Sequence, residues 1–220
     1  MIKHHIYPEI LMAYAAGNTT PSVSLIVASH ITFCAECRKA VEVYESIGGN
    51  LLENSETVEP SLSSLDNIFI KIDNIEVEDT FNETTTKNRF FNNIPSVLSD
   101  YLPDGNELTE KWKRGIGGIK YFDIDLGDFK QNTHARMLSI PPGKKLPHHG
   151  HESQELTLVL HGGFRDENGS YNVGDVAIED ENNLHTPISD PKEGCVCLVV
   201  YEGKLKFKGF FGPIINILNK

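Results

Sequence analysis

The stretch GKKLPHHGHESQELTLVLHG, residues 143–162, is where the fold of the second half of the chain can be read. Between its bounding Gly143 and Gly162, His149, His151 and Glu155 stand at offsets that suit a strand. Residues two apart share one face of a strand, so His149 and His151 project together into a barrel, and Glu155 follows on the adjoining part of the ribbon. A second pattern, Gly174-x10-His185, supplies a fourth donor from a neighbouring strand. Three imidazoles and one carboxylate suit zinc, and equally manganese, iron, nickel or copper. His148 alternates to the opposite face and is expected to be exposed.

Working outward, YFDIDLGDF, ARMLSI, LTLVLHGGF, SYNVGDVAI, CVCLVVY and LKFKGFF read as strands, separated by turn signals such as PPG and ENG. Short strands at regular spacing predict a barrel or jelly roll. Cys195 and Cys197 flank Val196 and therefore face one way together. They are read as small core fillers or as candidates for redox sensing.

Upstream of about residue 76 the texture is helical. Pro8 to Ala16 predicts a helix stopped by Gly17, and Thr20 before Pro21 caps a second helix running toward His30. A third is expected from Ala35 to Ile47, ending at Gly48-Gly49. Residues 61–75 place Leu62, Leu65, Ile68, Phe69, Ile72 and Ile75 on one helical face, with Ser61 as the cap. The Asp, Glu, Asn and Thr-rich run from Glu76 to Asn93 reads as a linker, followed by an arm to about Pro103. The expected division is 1–75 helical domain, 76–103 linker and arm, and 104–220 barrel.

Within the helical part, His30, Cys34 and Cys37 form His-x3-Cys-x2-Cys, with His4 or His5 upstream as a fourth donor. Two thiolates and two imidazoles suit a closed zinc tetrahedron, and a short helical domain with little core of its own gains from such a staple. Two other readings stand beside it. The pair could be a thioredoxin-like redox motif, although no βαβ pattern surrounds it, or simply two buried cysteines.

Charge narrows the partners. The formal net charge is -11, and residues 1–100 hold 14 acidic against 6 basic side chains. That composition argues against direct nucleic-acid binding and favours a protein partner. The opening MIKHHIYPEILMAYAAG lacks the apolar core of a secretory signal, and no stretch approaches a membrane span. Four cysteines in two close pairs make a poor disulfide framework, so a reducing, cytoplasmic setting is expected.

The motifs together, from HHIYPEILMAYAAG through SHITFCAEC to HGHESQELTLVLHGGFRDE, LHTP and CVCLV, resemble the ChrR family of zinc-dependent anti-sigma factors over nearly the whole chain. The second half is similar to the cupin superfamily, departing from its second motif at Asp180, Asn182 and Ser189, where that superfamily carries proline, glycine and asparagine. The resemblance implies an α + β multidomain protein: a small zinc-bound helical domain followed by a cupin-like antiparallel β-barrel of jelly-roll type. It implies zinc on His5, His30, Cys34 and Cys37. It further implies zinc or another divalent transition metal on His149, His151, Glu155 and His185.

By the same resemblance the helical domain would sequester an extracytoplasmic-function-type sigma factor. It would release that partner on an oxidative signal, notably singlet oxygen, in which the barrel takes part. The 61–75 stripe, too wide to be covered by three preceding helices, is the expected grip on the sigma factor. The rival reading is a metal-dependent cupin enzyme, a dioxygenase or isomerase, with an accessory zinc domain. Such a site keeps a coordination position open for substrate, whereas four protein ligands around zinc can close it.

Overall fold

Cap chemistry sets the first helices of the chain. The computed structural model describes residues 1–61, 63–75, 94–102, 111–127, 133–151, 153–203 and 205–207, with backbone alone at 116, 151 and 205–207. Helix α1, Pro8–Ala15, begins with proline in its first turn, where a missing N–H costs nothing. It ends at Gly17, whose φ of 67° is the left-handed conformation that a helix C-terminus favours. Helix α2, Pro21–Phe33, starts at Thr20, whose hydroxyl accepts from the Val23 N–H. It runs one turn past the His30 expected as its end.

Helix α3, Ala35–Glu53, corrects a second expectation, because it continues through Gly48-Gly49 and ends at Asn54. Two glycines weaken a helix without forcing a stop, and the spacing of Val43, Ile47 and Leu51 carries one face straight across them. Helix α4, Ser64–Asp73, is shorter than the 61–75 expected and buries none of its residues. Leu62 and the 76–93 linker lie outside the described residues. Helix α5, Ser96–Ser99, belongs to the arm and sets Leu98 into the core, fully buried.

The second half is an antiparallel barrel of strands β1 (Lys113–Arg114), β2 (Lys120–Ile124), β3 (Thr133–Ile140), β4 (His149–His151), β5 (Glu155–Arg165), β6 (Ser170–Asn172), β7 (Val176–Glu179), β8 (Ile188–Ser189), β9 (Cys195–Glu202) and β10 (Leu205–Phe207). The main sheet runs β1-β2-β3-β9-β5-β6, with β7 and β8 also pairing β5, while β4 pairs β10. SYNVGDVAI, expected as one strand, is broken into β6 and β7. Gly174 takes a φ of 88° there, and the Asp175 carboxylate accepts from the Asn172 N–H to close the turn. The end of LKFKGFF beyond Phe207 lies outside the described residues.

The central strands are apolar on both faces for a physical reason. On β9, Cys195, Cys197 and Val199 point to the barrel interior, whereas Val196, Leu198 and Val200 join a core shared with Leu25, Ile26 and Val27 of α2. The helical half therefore covers the outer face of the β3-β9-β5 sheet, and most residues of these strands leave water on whichever face they point to. The contact is polar as well as greasy. Asp175 accepts from the backbone N–H groups of Lys3 and His4, at 2.7 and 3.0 Å, and the Val176 N–H donates to the His4 carbonyl. A side chain at Gly174 would run into Ile2 and Phe33, so glycine is what allows the approach. No helix among the described residues is long and apolar enough to cross a membrane.

Candidate metal centres

The helical site assembles from three elements: the strand-like segment before α1 brings His5, the last turns of α2 bring His30, and the α2–α3 junction brings Cys34 and Cys37. One donor atom from each of these four residues lies within 4.8 Å of all the others. His5 Nδ1 is 3.2 Å from Cys34 Sγ and 3.6 Å from Cys37 Sγ. Cys34 is also the α3 cap, its sulfur accepting from the Cys37 N–H, so the Cys-x2-Cys geometry follows from helix initiation. His5, not His4, enters the cluster; the His4 ring packs instead on Tyr171, with centroids 4.3 Å apart.

His30 supplies the sharpest test of whether a metal fits. Its Nδ1 sits 2.9 Å from the Gly174 carbonyl and must donate to it, which leaves Nε2 unprotonated in the neutral ring. That Nε2 is buried and has no hydrogen-bond partner among the described residues, although it faces two sulfurs and a second imidazole. Burial pulls the His30 pKa down to about 4, so the lone pair is available. Burial likewise pushes the Cys37 thiol up to about 12, so a metal would have to displace its proton. A thiophilic cation completes this donor set, and the residues fit zinc.

In the barrel, His149 and His185 sit opposite each other on adjacent backbone segments, exchanging both N–H to carbonyl bonds. Their Nε2 atoms approach to 3.2 Å. His149 Nδ1 donates to the Pro147 carbonyl and His185 Nδ1 donates to Asp166 Oδ2 at 3.0 Å, so both Nε2 atoms carry their lone pairs inward. Such an approach is favourable only with a shared proton or a bound cation between them. Glu155 enters the same cavity, where burial raises its pKa against the opposing pull of His149 and His185. Imidazole and carboxylate are donor types that a divalent transition metal accepts, but the described barrel residues whose donor atoms lie within 4.8 Å of one another are Asp166, Glu179 and His185. The side chain of His151, the remaining expected ligand, lies outside the described residues.

Two carboxylates that sequence reasoning missed stand behind His185. Asp166, in the β5–β6 turn, and Glu179, on β7, present oxygens 3.0 and 3.8 Å from His185 Nδ1, and all three side chains are buried. Asn168 Nδ2 donates to both Glu179 oxygens, which marks that carboxylate as an orienting group. The only signal in the sequence was the ENG turn itself. Around the motif, Asp180 accepts from the Asn182 N–H, and Ser189 donates to the Pro141 carbonyl, so these residues close their turns without the superfamily's proline and glycine.

His148 is exposed as expected, its Nδ1 2.9 Å from the Thr186 hydroxyl. Cys195 and Cys197 face one way, and Cys197 lines the cavity with His149, Glu155 and His185. The Cys195 thiol beside it and burial hold the Cys197 thiol well above its usual range.

Residues 107–205 match the family model described as the ChrR cupin-like domain. The anti-sigma-E factor ChrR of Cereibacter sphaeroides is 34% identical over 216 residues, covering 98% of this chain and 97% of that protein. The chain belongs to the ChrR family. Among solved structures, that of Rhodobacter sphaeroides SigE in complex with the anti-sigma ChrR matches with a TM-score of 0.75 at 33% identity, covering 92% of this chain and 100% of that one. The agreement spans both halves, so the ChrR family architecture of helical module and cupin-like barrel is this chain's architecture.

Proposed function

We propose that this chain sequesters an extracytoplasmic-function-type sigma factor through its helical half, residues 1–75, and frees it when the barrel, residues 104–220, receives an oxidative signal. The observation that carries the reading is end-to-end similarity to an anti-sigma factor together with an apolar helix that no other described residue buries. Leu65, Ile68, Phe69 and Ile72 of α4 are each more than half exposed. Val43, Ile47 and Leu51 extend the exposed apolar surface along α3. Surface of this kind is the recognised form of a helix-docking site, and the acidic residues around it complement a basic helical partner.

In this reading zinc on His5, His30, Cys34 and Cys37 fixes the angle between α2 and α3, and so the placement of the docking helices. The barrel site, His149, His151, Glu155 and His185, holds zinc or another divalent transition metal and reports the signal, singlet oxygen among the candidates. Oxidation of a thiolate ligand, oxidation of Cys195 or Cys197, or loss of barrel metal each changes charge and packing locally. Whichever acts must differ in free energy between the bound and released states. The protein works in the cytoplasm, on its partner and without contacting nucleic acid.

Co-expression with an extracytoplasmic-function-type sigma factor tests the assignment. The full chain should co-purify with it as a stoichiometric complex containing zinc. A chain lacking residues 61–75 should not, and continued capture by that truncated chain would falsify the role of α4.

A further inference from the structure

The two metal centres share a support. Gly174 offers its carbonyl to His30 Nδ1, and the adjacent Asp175, fully buried, grips the backbone of Lys3 and His4 through Oδ1 and its own turn through Oδ2. The Val176 N–H completes this grip on the His4 carbonyl. His5 follows at once. Two of the four donors of the helical site are thus held by three consecutive residues of the barrel.

The other end of the same hairpin serves the barrel site. Asp166 Oδ1 accepts from the N–H groups of Asn168 and Gly169 to shape the turn, while Oδ2 accepts from His185 Nδ1. Glu179, the last residue of β7, stands behind His185 too. Between the ends, β6 is short, and Tyr171 packs on Phe164 on one side and on His4 on the other. A shift of this hairpin along its length must move the partners of His185 and of His30 together, since packed interiors do not absorb displacement piecemeal.

We propose that residues 166–176 form a common outer shell for both metal sites, with Asp175 positioning His5 and His30 and Asp166 positioning His185, so that metal retention at one site depends on the other. The inference rests on both sites binding metal, as proposed above. It gives the barrel a route to the docking helices that passes through hydrogen bonds rather than through the 76–93 segment. Coupling of this kind is reciprocal: metal in the barrel strengthens the helical site by the same factor as the reverse.

Cobalt(II) titration of the full-length chain in a Cys197→Ala background separates the sites, because Cys197 is the thiol that lines the barrel cavity and without it only the helical site offers thiolates for a sulfur-to-cobalt charge-transfer band. In Asp175→Asn the band should require about 10-fold more cobalt, the lower end of what loss of an outer-shell partner costs. In His149→Ala, which disables the barrel site without touching the hairpin, the band should shift in the same direction by about 5-fold. Melting of the metal-free variants, measured alongside, distinguishes lost positioning from lost fold. Titration curves unchanged from the Cys197→Ala background in both variants overturn the proposal while leaving two metal sites standing, and a shift in Asp175→Asn alone overturns the coupling. No charge-transfer band in that background removes the helical metal site and this proposal with it.

Discussion

The helical and barrel sites draw on similar donors but are held by different means. In the helical site the four ligands come from a terminal segment and two short helices whose own core is thin, and much of α3 and all of α4 lie open to solvent. In the barrel Glu155 sits on β5, which is paired on both sides there, and His149 and His185 face each other across a backbone bridge, with Asp166 and Glu179 already oriented behind His185. The contrast predicts that a metal in the first site would be part of the fold, whereas a metal in the second would be a passenger in a fold that stands without it.

The largest expected effect breaks or upholds that contrast directly. Cys34→Ser with Cys37→Ser should release the helical zinc, forfeiting a binding energy on the order of 10 kcal/mol that a structural zinc site contributes to folding. Metal analysis should show the loss, and amide exchange should show α1 to α3 opening while the β5 and β9 amides stay protected. Glu155→Ala, by contrast, should empty the barrel with little change in its exchange protection. Equal loss of protection in both variants would end the distinction between fold element and passenger.

Titration of the metal-stripped chain sharpens it, because the two sites respond to pH with opposite signs. His30 has a pKa near 4 in the fold against 6.5 when exposed. Below pH ~6.5 the unfolded chain therefore takes a proton that the folded chain refuses, and stability falls by about 3 kcal/mol as pH drops toward ~4. Burial raises Glu155 and Glu179, so their contribution is present at low pH and is lost as pH rises through their folded values. Urea unfolding across this range, followed separately by helix and sheet signals, should show the helical half failing first in acid. His30→Gln should remove the acid-dependent slope from the helix signal.

Smaller effects probe the open surface. Phe69→Asp, at a position 54% exposed, should leave the melting temperature within error of wild type. It should weaken sigma capture by about 30-fold, the consequence of about 2 kcal/mol at an aromatic anchor. Surface plasmon resonance of the purified partners would measure it, and unchanged affinity would move the docking site off α4. Least of all, Gly48→Ala in α3 meets no atom within 4 Å and should stabilise the metal-loaded chain by roughly 0.5–1 kcal/mol. No gain in thermal stability there would mean that α3 frays before that point.

Much of the candidate site was legible because its signals are local. Thr20 before Pro21, Gly17 after α1, and the His-x3-Cys-x2-Cys spacing are each fulfilled within a few residues of themselves. The alternation of Cys195, Val196 and Cys197 is equally local, as a strand has only two faces. The boundary at Gly48-Gly49 misled because a helix end depends on whether neighbouring turns hold, and the apolar face of α3 runs past it. SYNVGDVAI misled because β-propensity continues across Gly174 while the backbone reverses there to meet Ile2 and Phe33.

What the amino-acid sequence determined by itself was the donor inventory, the helix starts and the strand faces, since these arise from covalent spacing and short-range hydrogen bonding. Only the tertiary structure decided that the helical half covers the β3-β9-β5 sheet, that Asp166 and Glu179 stand behind His185, and that one hairpin reaches both sites. Those partners are separated along the chain by up to 172 residues, as Lys3 is from Asp175. No periodicity encodes such a pairing; it appears when burial of both sheet faces brings the two halves together.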